Sequence, residues 1–304
     1  MQLIVAVNCT SRKTAKAGKD LCARDLERGG VAQLAEEWRS RVEGASAQQI
    51  PARELYSGRA FALASKTAQG AGAELYVLSA GMGFVKQDAL VPPYNLSVAP
   101  NTDDCILLRS CVEPFTSSQW WAALHEAQGS RPLAKLLSQR PKAMLILAAT
   151  RPYIEMVEED LMSLTAAQLS RLRIVGPTRA DVLPELLRPS MMPYDDRLDD
   201  VGLGLQGTRF DFAARALTHF VGLVGDDERI QSPQDHAKRV RLSLSKRRAP
   251  ERLQRERIDA AALCLHVRAL KQAGESKTSA LAKLRRDLGY ACEQQRFSSA
   301  WEAP

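Results

Sequence analysis

Three short polar loops each follow an apolar run, and they hold the side chains best suited to chemistry. The first is Cys9-Thr10-Ser11-Arg12-Lys13. Cys9 is a candidate nucleophile, because a cation such as Lys13 beside a thiol favours the thiolate. Lys13 or Arg12 could equally hold a phosphate, and Ser11 a base edge. The plainer reading of Cys9 is a small buried apolar side chain. The second loop is Ser79-Ala80-Gly81-Met82-Gly83-Phe84. Gly81 and Gly83 let the backbone turn tightly and approach a ligand, and Ser79 offers a hydrogen bond. The third is Thr150-Arg151-Pro152-Tyr153, with Thr150 as its polar contributor. Between the second and third lies Asp88-Ala89-Leu90-Val91-Pro92-Pro93-Tyr94-Asn95-Leu96. Asp88 is the carboxylate near the glycine loop, and Tyr94 brings a ring face and a hydroxyl. An aromatic face with a carboxylate at the base edge is one way to hold a nucleobase. A turn in which Tyr94 caps the core is the competing reading. Glu54-Leu55-Tyr56-Ser57-Gly58 is a less specific polar-aromatic cluster. Glu155, Glu158, Glu159 and Asp160 read as a solvated helix face.

The elements that must position these loops alternate between strand and helix. Residues 2–7, 74–79 and 142–149 are largely apolar runs that read as buried strands, and residues 171–175 read as a fourth strand. Helices are expected over 31–42, 53–69, 117–139, from 151 to about 164, and over 209–223; residues 177–207 read as loop. This is the pattern of an α/β body. Strand C-ends in such a sheet open onto a common crevice, so loops far apart in sequence can converge there. Six cysteines and four histidines show no ligand spacing, so no metal and no cofactor is expected.

The chain has 304 residues and a formal charge of +7, from 42 Lys+Arg and 35 Asp+Glu. Residues 231–304 hold 16 basic and 8 acidic side chains, leaving the rest at a net −1. Composition also changes near 226–236. The sequence therefore predicts a body over 1–225 and a basic helical domain over 226–304. Helices are expected over 250–272, with Leu253 and Ile258 on the core face, over 277–288 after a Ser276 N-cap, and over 291–301. The set is compatible with a helix-turn-helix-like reader of DNA and with a plain three-helix bundle. The expected nucleic-acid contacts are Lys246, Arg247, Arg248, Lys277, Lys283, Arg285, Arg286 and Arg296. No apolar run approaches the ~18 residues of a membrane span. The N-terminus lacks the marks of a signal peptide, so reduced thiols and a cytoplasmic location are expected.

The order of the motifs carries a resemblance. Cys9-Thr10-Ser11-Arg12-Lys13, Leu55-Tyr56-Ser57-Gly58, Ser79-Ala80-Gly81-Met82-Gly83-Phe84-Val85, Pro93-Tyr94-Asn95-Leu96 and Ala149-Thr150-Arg151-Pro152-Tyr153 resemble those of the YaaA (DUF328) superfamily and its DUF6884-type relatives. The resemblance spans about residues 1–223. It implies a compact α/β fold and work on nucleic acid: YaaA proteins are associated with peroxide stress and DNA binding. Similar domains occur in archaeosine synthase and in the DNA 7-deazaguanine system. The start differs, with Cys-Thr-Ser-Arg-Lys where YaaA proteins have Ser-Pro-Ala-Lys, and the basic tail is not part of the family core.

The resulting expectation is a DNA-binding enzyme that acts hydrolytically on a nucleobase, modified or not, at its glycosidic bond or at a substituent, in DNA modification, repair or phage defence. Asp88, Lys13 and Cys9 are its expected catalytic groups. Ser11, Tyr56, Ser79, Gly81, Gly83, Tyr94, Asn95 and Thr150 are the expected base contacts. A non-catalytic DNA-binding protein of stress or defence, and an enzyme of free nucleosides or nucleotides, are the alternatives.

Overall fold

The structure is a computed structural model, and it describes all residues except 1, 46–48, 101, 112–113, 127–128, 130, 252–254 and 304. Two compact units divide the chain, Met1–Ala249 and Pro250–Pro304.

In the first unit the expected strands form as β1 (Gln2–Asn8), β3 (Glu74–Ser79), β6 (Ala143–Ala148) and β7 (Leu172–Val175). Together with β4 (Gly83–Lys86) they form one mixed sheet, ordered β4-β3-β1-β6-β7. Pairing is parallel except between β3 and the edge strand β4. Central β1 explains the unbroken apolar run, because Leu3 to Val7 are all buried. A small ladder of β2 (Ile50–Pro51) with β5 (Leu90–Val91) stands apart from this sheet.

The connecting helices are α1 (Val31–Gly44), α2 (Ala52–Leu55), α3 (Arg59–Gly70), α4 (Ser117–His125), α5 (Pro132–Gln139), α6 (Arg151–Met156), α7 (Glu158–Met162), α8 (Ala166–Leu169) and α9 (Phe212–Leu223). Three expected helices are each split in two, the one from 151 to about 164 at Val157 between α6 and α7. Gly58, at φ +100°, separates α2 from α3, and Gly129, at φ +88°, lies between α4 and α5. Such backbone is strained for any residue with a Cβ. Thr116 and Gln119 close α4 with reciprocal bonds of 3.2 and 2.8 Å, a capping box that satisfies otherwise orphaned amides.

One charged residue departs from the sequence reading. Asp160 does not lie on a solvated face: it is 2% exposed. Its carboxylate accepts the Leu133 and Ala134 amides at 2.9 and 3.1 Å. It therefore caps the start of α5, where the helix dipole favours an anion.

The division between units falls later than the expected boundary after residue 225. Helix α10 (Pro233–Leu244) buries His236, Ala237, Val240 and Leu244 in the core of the first unit. Beneath it, Arg173 on β7 is wholly buried, with no carboxylate partner among the described residues. Its guanidinium donates to His236 Nδ1 at 2.7 Å and to the carbonyls of Ser170, Leu172 and Gln231. Much of the charge attributed to the tail thus belongs to the body. The second unit has ten basic and seven acidic residues, a net +3 against +4 for the first.

The second unit contains the helices α11 (Ala260–Gln272), α12 (Lys277–Arg286) and α13 (Gln294–Glu302) and a parallel ladder of β8 (Glu256–Arg257) with β9 (Tyr290–Ala291). Its own core gathers Ile258, Leu263, Val267, Ala280, Leu284 and Phe297. Asp259 and Ser276 cap α11 and α12 through their side chains. Helix α11 starts later than expected, and Leu253 lies outside the described residues. Among the described residues no helix is long and apolar enough to cross a membrane.

Candidate active site

The first polar loop is tied to the segment between α2 and α3. Thr10 Oγ1 lies 2.8 Å from the Arg12 carbonyl and 3.0 Å from that of Ser57, while the Ser57 amide donates back to Arg12 at 3.1 Å. The Thr14 amide reaches the Leu55 carbonyl at 2.9 Å, and Lys13 pairs with Tyr56 in an antiparallel bridge. These bonds direct the Lys13 side chain back over the strand end. Its Nζ donates to the Thr10 carbonyl at 3.3 Å and sits 4.3 Å from the centre of the Tyr94 ring. Burial pulls the Lys13 ammonium below its ordinary pKa, opposed by the charges of Cys9 and Asp104.

A chain of hydroxyls runs beneath Lys13. The Met82 amide donates to Ser79 Oγ at 2.8 Å, Ser79 Oγ lies 2.6 Å from the Tyr94 hydroxyl, and that hydroxyl lies 3.0 Å from Tyr56. Cys9 Sγ lies 3.1 Å from the Tyr153 hydroxyl. Cys9, Tyr56, Ser79, Tyr94 and Tyr153 are all buried. Burial raises the phenol pKa of all three tyrosines, so these groups stay neutral hydrogen-bonding partners.

The glycine loop is held from outside by indoles. Trp38 of α1 donates to the Gly81 carbonyl and Trp120 of α4 to the Ala80 carbonyl, each at 2.7 Å. Gly81 is needed for space: a Cβ there would meet the Tyr94 ring at 2.5 Å. Gly83 is needed for conformation, at φ +72°, and a Cβ would also press on His125. Each glycine thus lets a ring lie against the backbone.

Above Lys13 opens a pocket of about 620 Å³, lined among others by Ser11, Arg12, Lys16, Lys19, Arg24 and Asn95. Its rim is strongly cationic, with Asp25 as a lining carboxylate. Arg24 is itself paired with Asp104 at 3.3 Å.

The expected site residues therefore separate. Cys9, Lys13, Tyr56, Ser79, Gly81 and Tyr94 come together, with Ser11 and Asn95 at the mouth above. Tyr94 and Tyr56 are buried, and Lys13 lies over the Tyr94 ring that was expected to stack a base. The Thr150 amide donates to Asn8 Oδ1 at 3.3 Å, joining α6 to the end of β1. Asp88 lies elsewhere: its side chain is half exposed and ion-paired with Arg53. The carboxylate whose charge reaches Lys13 is Asp104. Sequence reasoning missed Asp104 and the indole ties of Trp38 and Trp120, because nothing in their local spacing signals them. Tyr153, named within its loop, was not singled out as a partner of Cys9.

The basic residues separate as well. Lys246, Arg247 and Arg248 belong to the first unit, where Asp200 takes Arg247 at 3.5 Å and the Arg248 amide at 2.8 Å. In the second unit Lys277 pairs with Glu302 at 2.7 Å and Lys283 with Glu275. Arg286 is exposed, and Arg285 and Arg296 line a cleft.

No curated protein matches the chain. Residues 40–174, which carry Tyr56, Ser79, Tyr94, Asp104 and Tyr153 but neither Cys9 nor Lys13, match the model of DUF6884, a family of unknown function.

Proposed function

We propose that the protein is a hydrolytic enzyme acting on a nucleobase within nucleic acid, with Lys13 as the central group of its pocket. The observation that carries this reading is the desolvated Lys13 amine on the Tyr94 ring, beneath a rim of Arg12, Lys16, Lys19 and Arg24. The rim suits a phosphate-bearing substrate. Burial makes this amine easier to deprotonate than an exposed lysine, which suits a proton-transfer role. Neutral, Nζ takes a proton from attacking water. Protonated, it stabilises negative charge on the departing group. The buried hydroxyls of Ser79, Tyr94 and Tyr56 hold the platform on which Lys13 rests, and Cys9 with Tyr153 forms a second polar pair beside it. The order of the motifs, which resembles the YaaA superfamily, supports a nucleic-acid substrate. It also supports a YaaA-like body, while the three short helices around a separate core support a helix-turn-helix-like second unit.

The test is to incubate the protein with DNA and RNA containing ordinary and modified bases and to analyse released bases and altered nucleosides by mass. Wild type converts at least one substrate. Lys13→Met loses about 10²-fold or more, the scale of general acid–base contributions. Asp104→Asn removes a charge that raises the Lys13 pKa, so the acid limb of its pH–rate profile moves to lower pH. Asp88→Ala, on the exposed Arg53 pair, leaves that limb in place. No conversion of any substrate by wild type refutes the proposal.

A further inference from the structure

The second unit carries a cleft that the Lys13 chemistry does not use. Its volume is about 570 Å³, and Arg255, Arg257, Arg285 and Arg296 line it, with Glu293 as a carboxylate in the lining. The β8–β9 ladder pairs Glu256 with Tyr290 and Arg257 with Ala291. Side chains alternate along an extended segment, so Arg255 and Arg257 share one face and Glu256 takes the other.

Two of the four guanidiniums are oriented by backbone carbonyls. Arg255 Nε donates to the Arg285 carbonyl at 2.9 Å. Arg285 donates to the Cys292 carbonyl through Nε at 3.1 Å and Nη2 at 2.7 Å. A carbonyl fixes a guanidinium in place without cancelling its charge. Lys277 and Lys283 of the same unit differ, because carboxylates neutralise both. Among the described residues, none of the four cleft guanidiniums has an ion pair, and Glu293 is the carboxylate that lines the cleft with them. Gathering four like charges in one concavity costs energy that a bound anion offsets.

We infer that this cleft binds the phosphodiester groups of nucleic acid. The inference rests on the proposed nucleic-acid substrate of the Lys13 pocket, and moves the expected contact surface from the helix residues Lys277, Lys283 and Arg286 to the cleft walls. Planar guanidinium forks match pairs of phosphate oxygens. Contacts of this kind set position and carry no sequence information of their own.

The test is fluorescence anisotropy of the full chain with a fluorescein-labelled 20-base-pair DNA duplex and with one of its strands, across a salt series and without reading turnover. Arg257 is exposed and Arg296 half-buried, so their removal spares the core. Arg257→Ala/Arg296→Ala weakens binding about tenfold or more and makes the log–log salt slope shallower by about one to two. Lys277→Ala/Lys283→Ala, on paired lysines, loses less. Arg257→Lys, which keeps the charge and loses the fork, falls between wild type and the double alanine variant. Unchanged affinity and slope in the arginine variant, a larger loss in the lysine variant, or no binding by wild type overturns the inference. Arginine-dependent binding without turnover on any base would refute the pocket chemistry alone. Turnover with arginine-independent binding would refute the cleft alone.

Discussion

Gly81→Ala adds one methyl group to the centre of the site, and the surroundings leave it no room. The new Cβ would lie 2.5 and 2.7 Å from two atoms of the Tyr94 ring and 3.2 Å from the Trp38 ring. Neither ring can retreat freely. Tyr94 is fully buried, with its hydroxyl held by Ser79 at 2.6 Å and Tyr56 at 3.0 Å. Trp38 is fully buried and bonded to the Gly81 carbonyl itself. Overpacking a well-filled core costs ~1–3 kcal/mol, and a displaced ring or turn loses a hydrogen bond worth ~1 kcal/mol. A total of about 2–4 kcal/mol lowers the melting temperature of a unit this size by roughly 4–16 °C. The control is Gly70→Ala, at the end of α3, where a Cβ meets nothing within 4 Å. That change is neutral or stabilises by up to ~1 kcal/mol. Thermal unfolding followed by circular dichroism reads both variants, and nucleobase conversion reads the displacement of the Lys13 platform. A Gly81→Ala protein that melts with the wild type and keeps its activity would refute the reasoning, because the Tyr94 ring would then not be fixed.

Acid should weaken the first unit through His236. Burial, then the Arg173 cation, depresses its pKa below the usual 6.5; Arg239 acts the same way, while Asp235 and the Glu228 carbonyl oppose it. The unfolded chain therefore takes up a proton that the folded one refuses. Stability is full above about pH 6.5 and falls as pH drops toward the folded pKa, with His219 adding to the same trend. Urea midpoints at pH 7.5 and 5.5 measure this, and His236→Gln should flatten the difference; an unchanged difference would rule His236 out. Arg215→Met should cost ~3–5 kcal/mol, the scale for breaking a buried ion pair. Arg215 holds buried Asp211 at 2.9 Å, Asp199 at 2.6 Å and two carbonyls; a loss below ~1 kcal/mol in urea unfolding would contradict that.

The central strands were legible because burial on both faces leaves an unbroken apolar run. The run expected at 74–79 is β3, and those at 2–7 and 142–149 match β1 and β6 within a residue or so; the strand expected at 171–175 is β7 even though Arg173 interrupts its apolar residues. Edge strand β4 was read as loop: its glycine and its exposed Lys86 give no such run, and its pairing with β3 is a tertiary fact. The later unit boundary has a similar cause. Composition registers the charges of residues 235–248, while the burial of His236, Val240 and Leu244 depends on a surface supplied by β7 and α9. Within the site, Lys13, Tyr56, Ser79 and Tyr94 were legible as motif residues on loops at strand ends. Asp104 was not, because its influence on Lys13 comes through space from a segment with no motif.

Trp38 and Trp120 bond directly to the two carbonyls of the glycine turn, and this gives the protein a spectroscopic reporter. Trp121 is buried nearby on the same helix as Trp120, whereas Trp301, the remaining tryptophan of the chain, lies half-buried in the second unit. Intrinsic emission is thus weighted toward the walls of the Lys13 site, and a ligand that shifts the Gly81 turn changes the surroundings of two indoles at once, without any attached dye.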